Sequence, residues 1–184
     1  KLMYALVLSG LAMQMTGNSR PASGAEHHLV HLWDMEVVNG HLDALHGEKV
    51  SAGTMLVLLE YKKIADAIRK GNCKVHTCTE EDRELLQSTF GKKGILGAIE
   101  KENTPELLDD VSTKELSDTL PGILKIIDAL PAVTDMQEMM NTAGCVSRVR
   151  DIGLPGDVIE ESLRLAPYTR RRLSLLRLRK MLTY

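Results

Sequence analysis

The sequence predicts an all-α chain. Apolar residues recur at helical spacing, the segments carrying them are separated by short Gly, Pro and Asn breaks, and no run keeps the alternation of a strand. The first segment, from Lys1 to Met15, is apolar on nearly every side, which suits a helix buried from more than one direction. With no capping residue before it, it reads as a helix already under way in a longer chain. It is too short to span a bilayer, and no small-residue cleavage site follows it, so neither a membrane span nor a signal peptide is expected.

Gly17-Asn18-Ser19-Arg20-Pro21 ends this helix. Ser23-Gly24-Ala25-Glu26 has the spacing of a capping box and opens a second helix, expected to run through about Val38 and to close at Asn39-Gly40. A third is expected from Gly47 or Glu48 to Arg69-Lys70, with Gly71 as its C-cap. Thr79 before Glu80, and Thr104 before Pro105, have the chemistry of two further helix starts. Segments 113–129, 134–143, 156–165 and 168–182 keep helical spacing. Trp33 and the methionines Met3, Met13, Met15 and Met35 read as core filler.

With 184 residues, 43% of them hydrophobic, the chain can bury a core of its own. Its 23 basic and 25 acidic residues leave a net charge of -2, which gives no overall attraction to nucleic acid or an anionic membrane. Cys73, Cys78 and Cys145 fit reduced thiols of a cytoplasmic protein better than a disulfide framework. The basic run Thr169-Arg170-Arg171-Arg172 with Arg177, Arg179 and Lys180 is expected to place its arginines along the outer face of a core helix, with Leu173, Leu176 and Leu178 packed inward.

Chemistry concentrates in Glu26-His27-His28-Leu29-Val30-His31 and in His46-Gly47-Glu48-Lys49. His27 and His31 lie one helical turn apart and share a face, whereas His28 points about 100° away. Imidazoles suit zinc, nickel or iron, and a catalytic site commonly uses three protein ligands with one position open. The spacing alone equally allows core histidines held by hydrogen bonds. Cys73, His76 and Cys78 form a weaker zinc candidate that lacks a fourth ligand. His28 and His41 are expected to be structural or surface residues.

The strings Ser9-Gly-Leu-Ala-Met-Gln14, Gly17-Asn-Ser-Arg-Pro-Ala-Ser-Gly-Ala-Glu-His27 and His46-Gly-Glu-Lys-Val50, with Gly53-Thr54, closely resemble the sn-glycerol-1-phosphate dehydrogenases. The likeness continues more weakly to Ala166-Pro-Tyr-Thr-Arg170 and Leu175-Leu176. That family resembles the wider iron-alcohol-dehydrogenase and dehydroquinate-synthase-like group, in which a nucleotide-binding α/β domain faces a helical metal-binding domain. The resemblance therefore implies that residues 1–184 are a single helical metal- and substrate-binding domain, the C-terminal half of such a fold, without its nucleotide-binding partner domain.

It further implies that His27 and His46 are metal ligands, that His31 is a polar catalytic residue at the substrate, and that the third ligand is an aspartate upstream of this stretch. NAD(P) would be bound mainly by the other domain, since no Gly-rich strand-to-helix turn is present here. The implied reaction reduces dihydroxyacetone phosphate to glycerol 1-phosphate, with the metal, zinc before nickel or iron, as Lewis acid. Asn18, Ser19, Arg20 and Lys49 are nearby polar residues that could hold the substrate phosphate. This stretch alone is expected to be inactive, and a homo-oligomer stays open. Two rivals remain: a related alcohol or polyol dehydrogenase, and a free-standing helical metal- or nucleic-acid-binding module that uses the basic tail.

Overall fold

A computed structural model describes residues 1–78 and 82–184, and within them the chain is predominantly helical. Helices α1 (Leu2–Thr16), α2 (Ala25–Asp34) and α3 (His46–Arg69) come first. They are followed by α4 (Arg83–Phe90), α5 (Leu96–Asn103), α6 (Thr113–Asp128) and α7 (Val133–Thr142). The short α8 (Ile159–Leu165) and α9 (Leu175–Leu178) complete the order. Two-residue strands, β1 (Lys74–Val75) and β2 (Leu182–Thr183), pair antiparallel, so the chain is not wholly free of strand. The helix start expected at Thr79 lies outside the described residues.

The core forms where α2 crosses α3. Leu29, Leu32 and Trp33 follow helical i, i+3, i+4 spacing and are all essentially inaccessible. Each stabilises the fold by roughly 1.5–3 kcal/mol through burial. They pack with Ala52 and Val57 of α3, Leu163 and Leu165 of α8, and Phe90, Tyr168 and Leu176. The Trp33 indole N–H donates to Ser162 Oγ at 3.1 Å, so this burial leaves no orphaned donor. A second cluster gathers Ile64, Leu108, Leu116, Leu120, Met181 and Leu182, and Tyr61 touches both clusters.

Several expectations need correction. The second helix stops at Asp34 rather than Val38, because Glu36 adopts a positive φ of 52° and the Asn39 amide donates to the Trp33 carbonyl. Thr104 does not start a helix. It closes α5, its hydroxyl donating to the Glu100 carbonyl at 2.7 Å. Met3 and Met15 are 71% and 87% exposed, so they are not core, and no residue of α1 is buried.

The segment 168–182 is not one helix either, but a 3₁₀ turn, an extended stretch, α9, a second 3₁₀ turn and β2. Its arginines do not all line an outer face. Arg177 is 1% exposed and donates to Glu106 Oε1 at 2.7 Å, Asn103 Oδ1 at 2.5 Å and the Pro167 carbonyl at 2.5 Å. Arg179 pairs with the buried Glu60 and with Glu160, and Lys180 reaches Asp82. Fixed buried acceptors capture these cations one by one, which a regular amphipathic helix would not permit.

Candidate metal and substrate site

Glu26 and His27 lie in the first turn of α2, and His46 is the first residue of α3. The α3 start is fixed by Glu48, whose carboxylate accepts the Leu45 N–H at 2.8 Å across the first turn. The two helices approach closely at Gly53, where an added Cβ would sit 3.2 Å from the Glu26 carbonyl oxygen. Lys49 Nζ donates to Asp34 Oδ1 at 2.8 Å at the other end of α2. This crossing brings the His27 and His46 rings to 5.7 Å between centroids, tilted by 53°.

That separation fits a shared ion. Two imidazoles bound at about 2.0–2.1 Å to a tetrahedral metal have centroids roughly 5 Å apart, close to the separation of these two rings. Among the described residues no three His, Cys, Asp or Glu side chains converge as a complete metal-binding group, whether here or around Cys73, His76 and Cys78. His27 and His46 thus form a pair of donors rather than a closed site.

His31 follows one turn after His27 and is half-buried. Burial lowers its pKa, and the positive charge of Arg170 lowers it further, so the imidazole is held towards its neutral form. His28 is buried at 1% exposure, and burial followed by the Arg172 charge pushes its pKa down to about 4. His41 is exposed and pairs with Glu36 at 2.9 Å, well away from this role.

Most of the expected phosphate donors are already engaged. The Asn18 side chain organises its own loop, donating to the Thr16 carbonyl and accepting the Arg20 N–H. Ser19 Oγ accepts from Arg172 Nη2 at 2.9 Å, and Arg172 also donates to the Ser23 carbonyl, tying the loop to the end of the chain. Lys49 is occupied by Asp34. The Arg20 side chain is exposed and makes no hydrogen bond or ion pair among the described residues.

Sequence reasoning left the roles of two groups unassigned. Glu26, counted in the histidine cluster and in the helix cap, contacts His27 Nδ1 at 2.8 Å. Arg170, read as part of a basic tail, has an exposed side chain whose charge acts on His31. Its backbone is held in place: the neighbouring Thr169 hydroxyl bonds the His28 carbonyl at 3.2 Å, and the Arg170 carbonyl accepts from Arg172 N at 2.8 Å. The Glu26-His27 adjacency was visible in the sequence; the Arg170 placement was not.

The fold is that of a helical domain in which a histidine of one helix meets a histidine at the mouth of the next. Sequence comparison names the family. A glycerol-1-phosphate dehydrogenase [NAD(P)+] of Halalkalibacterium halodurans is 34% identical over 176 residues, covering 95% of this chain and 36% of that protein. The same-named protein of Geobacillus stearothermophilus is 28% identical over 166 residues, covering 90% of this chain and 34% of that protein. Over 73 residues, 38% of this chain, the Pyrococcus horikoshii protein of that name is 42% identical. The chain belongs to the glycerol-1-phosphate dehydrogenase family. It spans about a third of the length of the first two relatives. No family model matches the chain, and no solved structure matches it.

Proposed function

We propose that this chain is the metal- and substrate-binding part of an enzyme that reduces dihydroxyacetone phosphate to sn-glycerol 1-phosphate with NAD(P)H. The observation that carries this reading is the His27–His46 pair across α2 and α3, in a chain of this family. His27 and His46 would hold a divalent metal, zinc before nickel or iron, with a further ligand and the nucleotide site contributed from outside this stretch. When bound, the metal would supply Lewis acidity for the substrate carbonyl, the nicotinamide would supply the hydride, and a proton from solvent would complete the alcohol.

The chain's own residues then bind and orient. His31, held towards neutrality beside the pair, hydrogen-bonds a substrate hydroxyl. Arg170 and Arg20, whose guanidinium groups are otherwise uncommitted among the described residues, are better candidates for the phosphate than Asn18, Ser19 or Lys49. The apolar residues exposed along α1, Leu2, Tyr4, Leu6 and Leu11 among them, support packing of that helix against another part of a longer protein.

The test uses full-length protein, assayed with NADH and NADPH against dihydroxyacetone phosphate and unphosphorylated dihydroxyacetone. His27→Ala and His46→Ala should each abolish both metal retention and reduction of the phosphorylated substrate. Full activity in either variant would overturn the assignment, and a preference for the unphosphorylated substrate would favour a polyol dehydrogenase.

A further inference from the structure

We propose that Glu26 is a positioning residue for His27, and that Gly24 leaves the room its carboxylate needs. The inference rests on the reading of His27 and His46 as metal ligands. Glu26 Oε1 accepts at once from the Gly24 N–H at 2.7 Å and from His27 Nδ1 at 2.8 Å. The first bond pins the carboxylate at the entrance of α2. The second fixes the imidazole: with Nδ1–H donating to the carboxylate, Nε2 is the nitrogen left with a lone pair for an ion. A carboxylate in this position also makes the ring a better electron donor, because it stabilises the partial positive charge the ring acquires on binding a cation.

Gly24 supplies an independent observation. A Cβ at residue 24 would lie 2.7 Å from Glu26 Oε2 and 3.4 Å from Oε1. The obstructed atoms are the far end of a flexible side chain, so the carboxylate would swing aside while α2 stayed in place. With φ -100° and ψ -149°, Gly24 lies outside the left-handed region in which glycine is chosen for its backbone. What the missing side chain provides is space for the carboxylate that holds His27.

Helix capping alone would give Glu26 a different signature, and the experiment separates the two. In full-length protein, zinc affinity is measured by competition with a chromophoric chelator for the parent and for Glu26→Ala, Glu26→Gln, Gly24→Ala and His27→Ala. Apo-protein melting temperatures and the visible spectra of cobalt-loaded samples accompany each titration. Glu26→Ala is expected to weaken zinc binding by about 10–100-fold. Glu26→Gln, which keeps an acceptor for Nδ1 but not the charge, should recover part of that loss. Gly24→Ala should weaken binding with the carboxylate still present, and the cobalt spectrum should change in both Glu26→Ala and Gly24→Ala.

Parent-like affinity in Glu26→Ala, with only a lowered apo melting temperature, would overturn the proposal and leave Glu26 as a cap. In that case loss of zinc in His27→Ala would show that the metal reading itself survives. Parent-like affinity in His27→Ala would overturn both.

Discussion

The His27 and His46 rings face each other across the α2–α3 crossing, 5.7 Å apart between centroids, although nineteen positions separate them in sequence. The helices cross closely enough there that a Cβ on Gly53 would meet the Glu26 carbonyl oxygen at 3.2 Å. Where α2 meets α3, Gly53 has no side chain to hold the Glu26 carbonyl away.

Gly53→Ala should therefore act on the site from two turns away. Its Cβ would meet backbone, not a flexible tip, so α2 must shift by a few tenths of an ångström. The expected cost is about 1–3 kcal/mol of stability in denaturant unfolding, as for other overpacked contacts, accompanied by weaker zinc binding. Unchanged zinc affinity in the destabilised variant would separate the crossing from the site.

Arg170 and Arg172 should respond differently. Arg170→Ala is expected to raise the KM for dihydroxyacetone phosphate at least tenfold, on the order of the 1.5–3 kcal/mol of a charged hydrogen bond, with little effect on melting temperature. Arg172→Ala removes the bonds to Ser19 and Ser23 and should loosen the 17–24 loop, seen as faster amide exchange there. Steady-state kinetics with phosphorylated and unphosphorylated substrates checks the first expectation.

Arg177→Leu should destabilise the protein by about 3–5 kcal/mol, because it strips Asn103, Glu106 and the Pro167 carbonyl of a shared buried donor. A surface arginine would cost no more than about 0.5 kcal/mol. Urea unfolding of the variant distinguishes a buried role from a surface one.

Glu60 gives the stability a pH dependence. Burial alone would raise its pKa, but the Tyr184 hydroxyl, Arg179 and Lys63 outweigh it and hold the carboxyl below its ordinary value. Asp82 behaves alike: Arg164 and Lys180 overcome its burial. A depressed carboxylate pKa means that the unfolded chain takes up protons first as pH falls. The stability these groups contribute is thus fully present above the ordinary carboxylate range and is lost on acidification through their lowered folded values. Glu60→Gln should lower the melting temperature at neutral pH and flatten its acid dependence, as thermal melts across pH 3–7 would record; an unchanged acid limb would refute the assignment.

Helices α3, α6 and α7 were legible in the sequence because their signals are local: periodic apolar positions, Glu48 at the start of α3, and Gly71 and Gly144 beyond the ends. The segment 168–182 misled for the opposite reason. Its leucine spacing is helical, but its conformation is decided by Asn103, Glu106, Glu60 and Asp82, which lie roughly 60 to 120 residues away in sequence. Thr104 misled in the same way, since a hydroxyl before a proline reads as a start until its acceptor, Glu100, is seen behind it.

For the site, the sequence by itself determined which side chains are available: His27 and His31 on one helical face, His46 at the next helix start, and strings specific enough to point to the family. Spacing within one helix is a property of the backbone, so it needs no tertiary information. Only the tertiary structure decided which of these groups meet and which are already occupied. It set His27 against His46 and Glu26, spent Ser19 on Arg172 and Lys49 on Asp34, and left Arg170 uncommitted beside His31. Those pairings depend on helix crossing and on competition among donors and acceptors distant in sequence, neither of which is written in any local stretch of the chain.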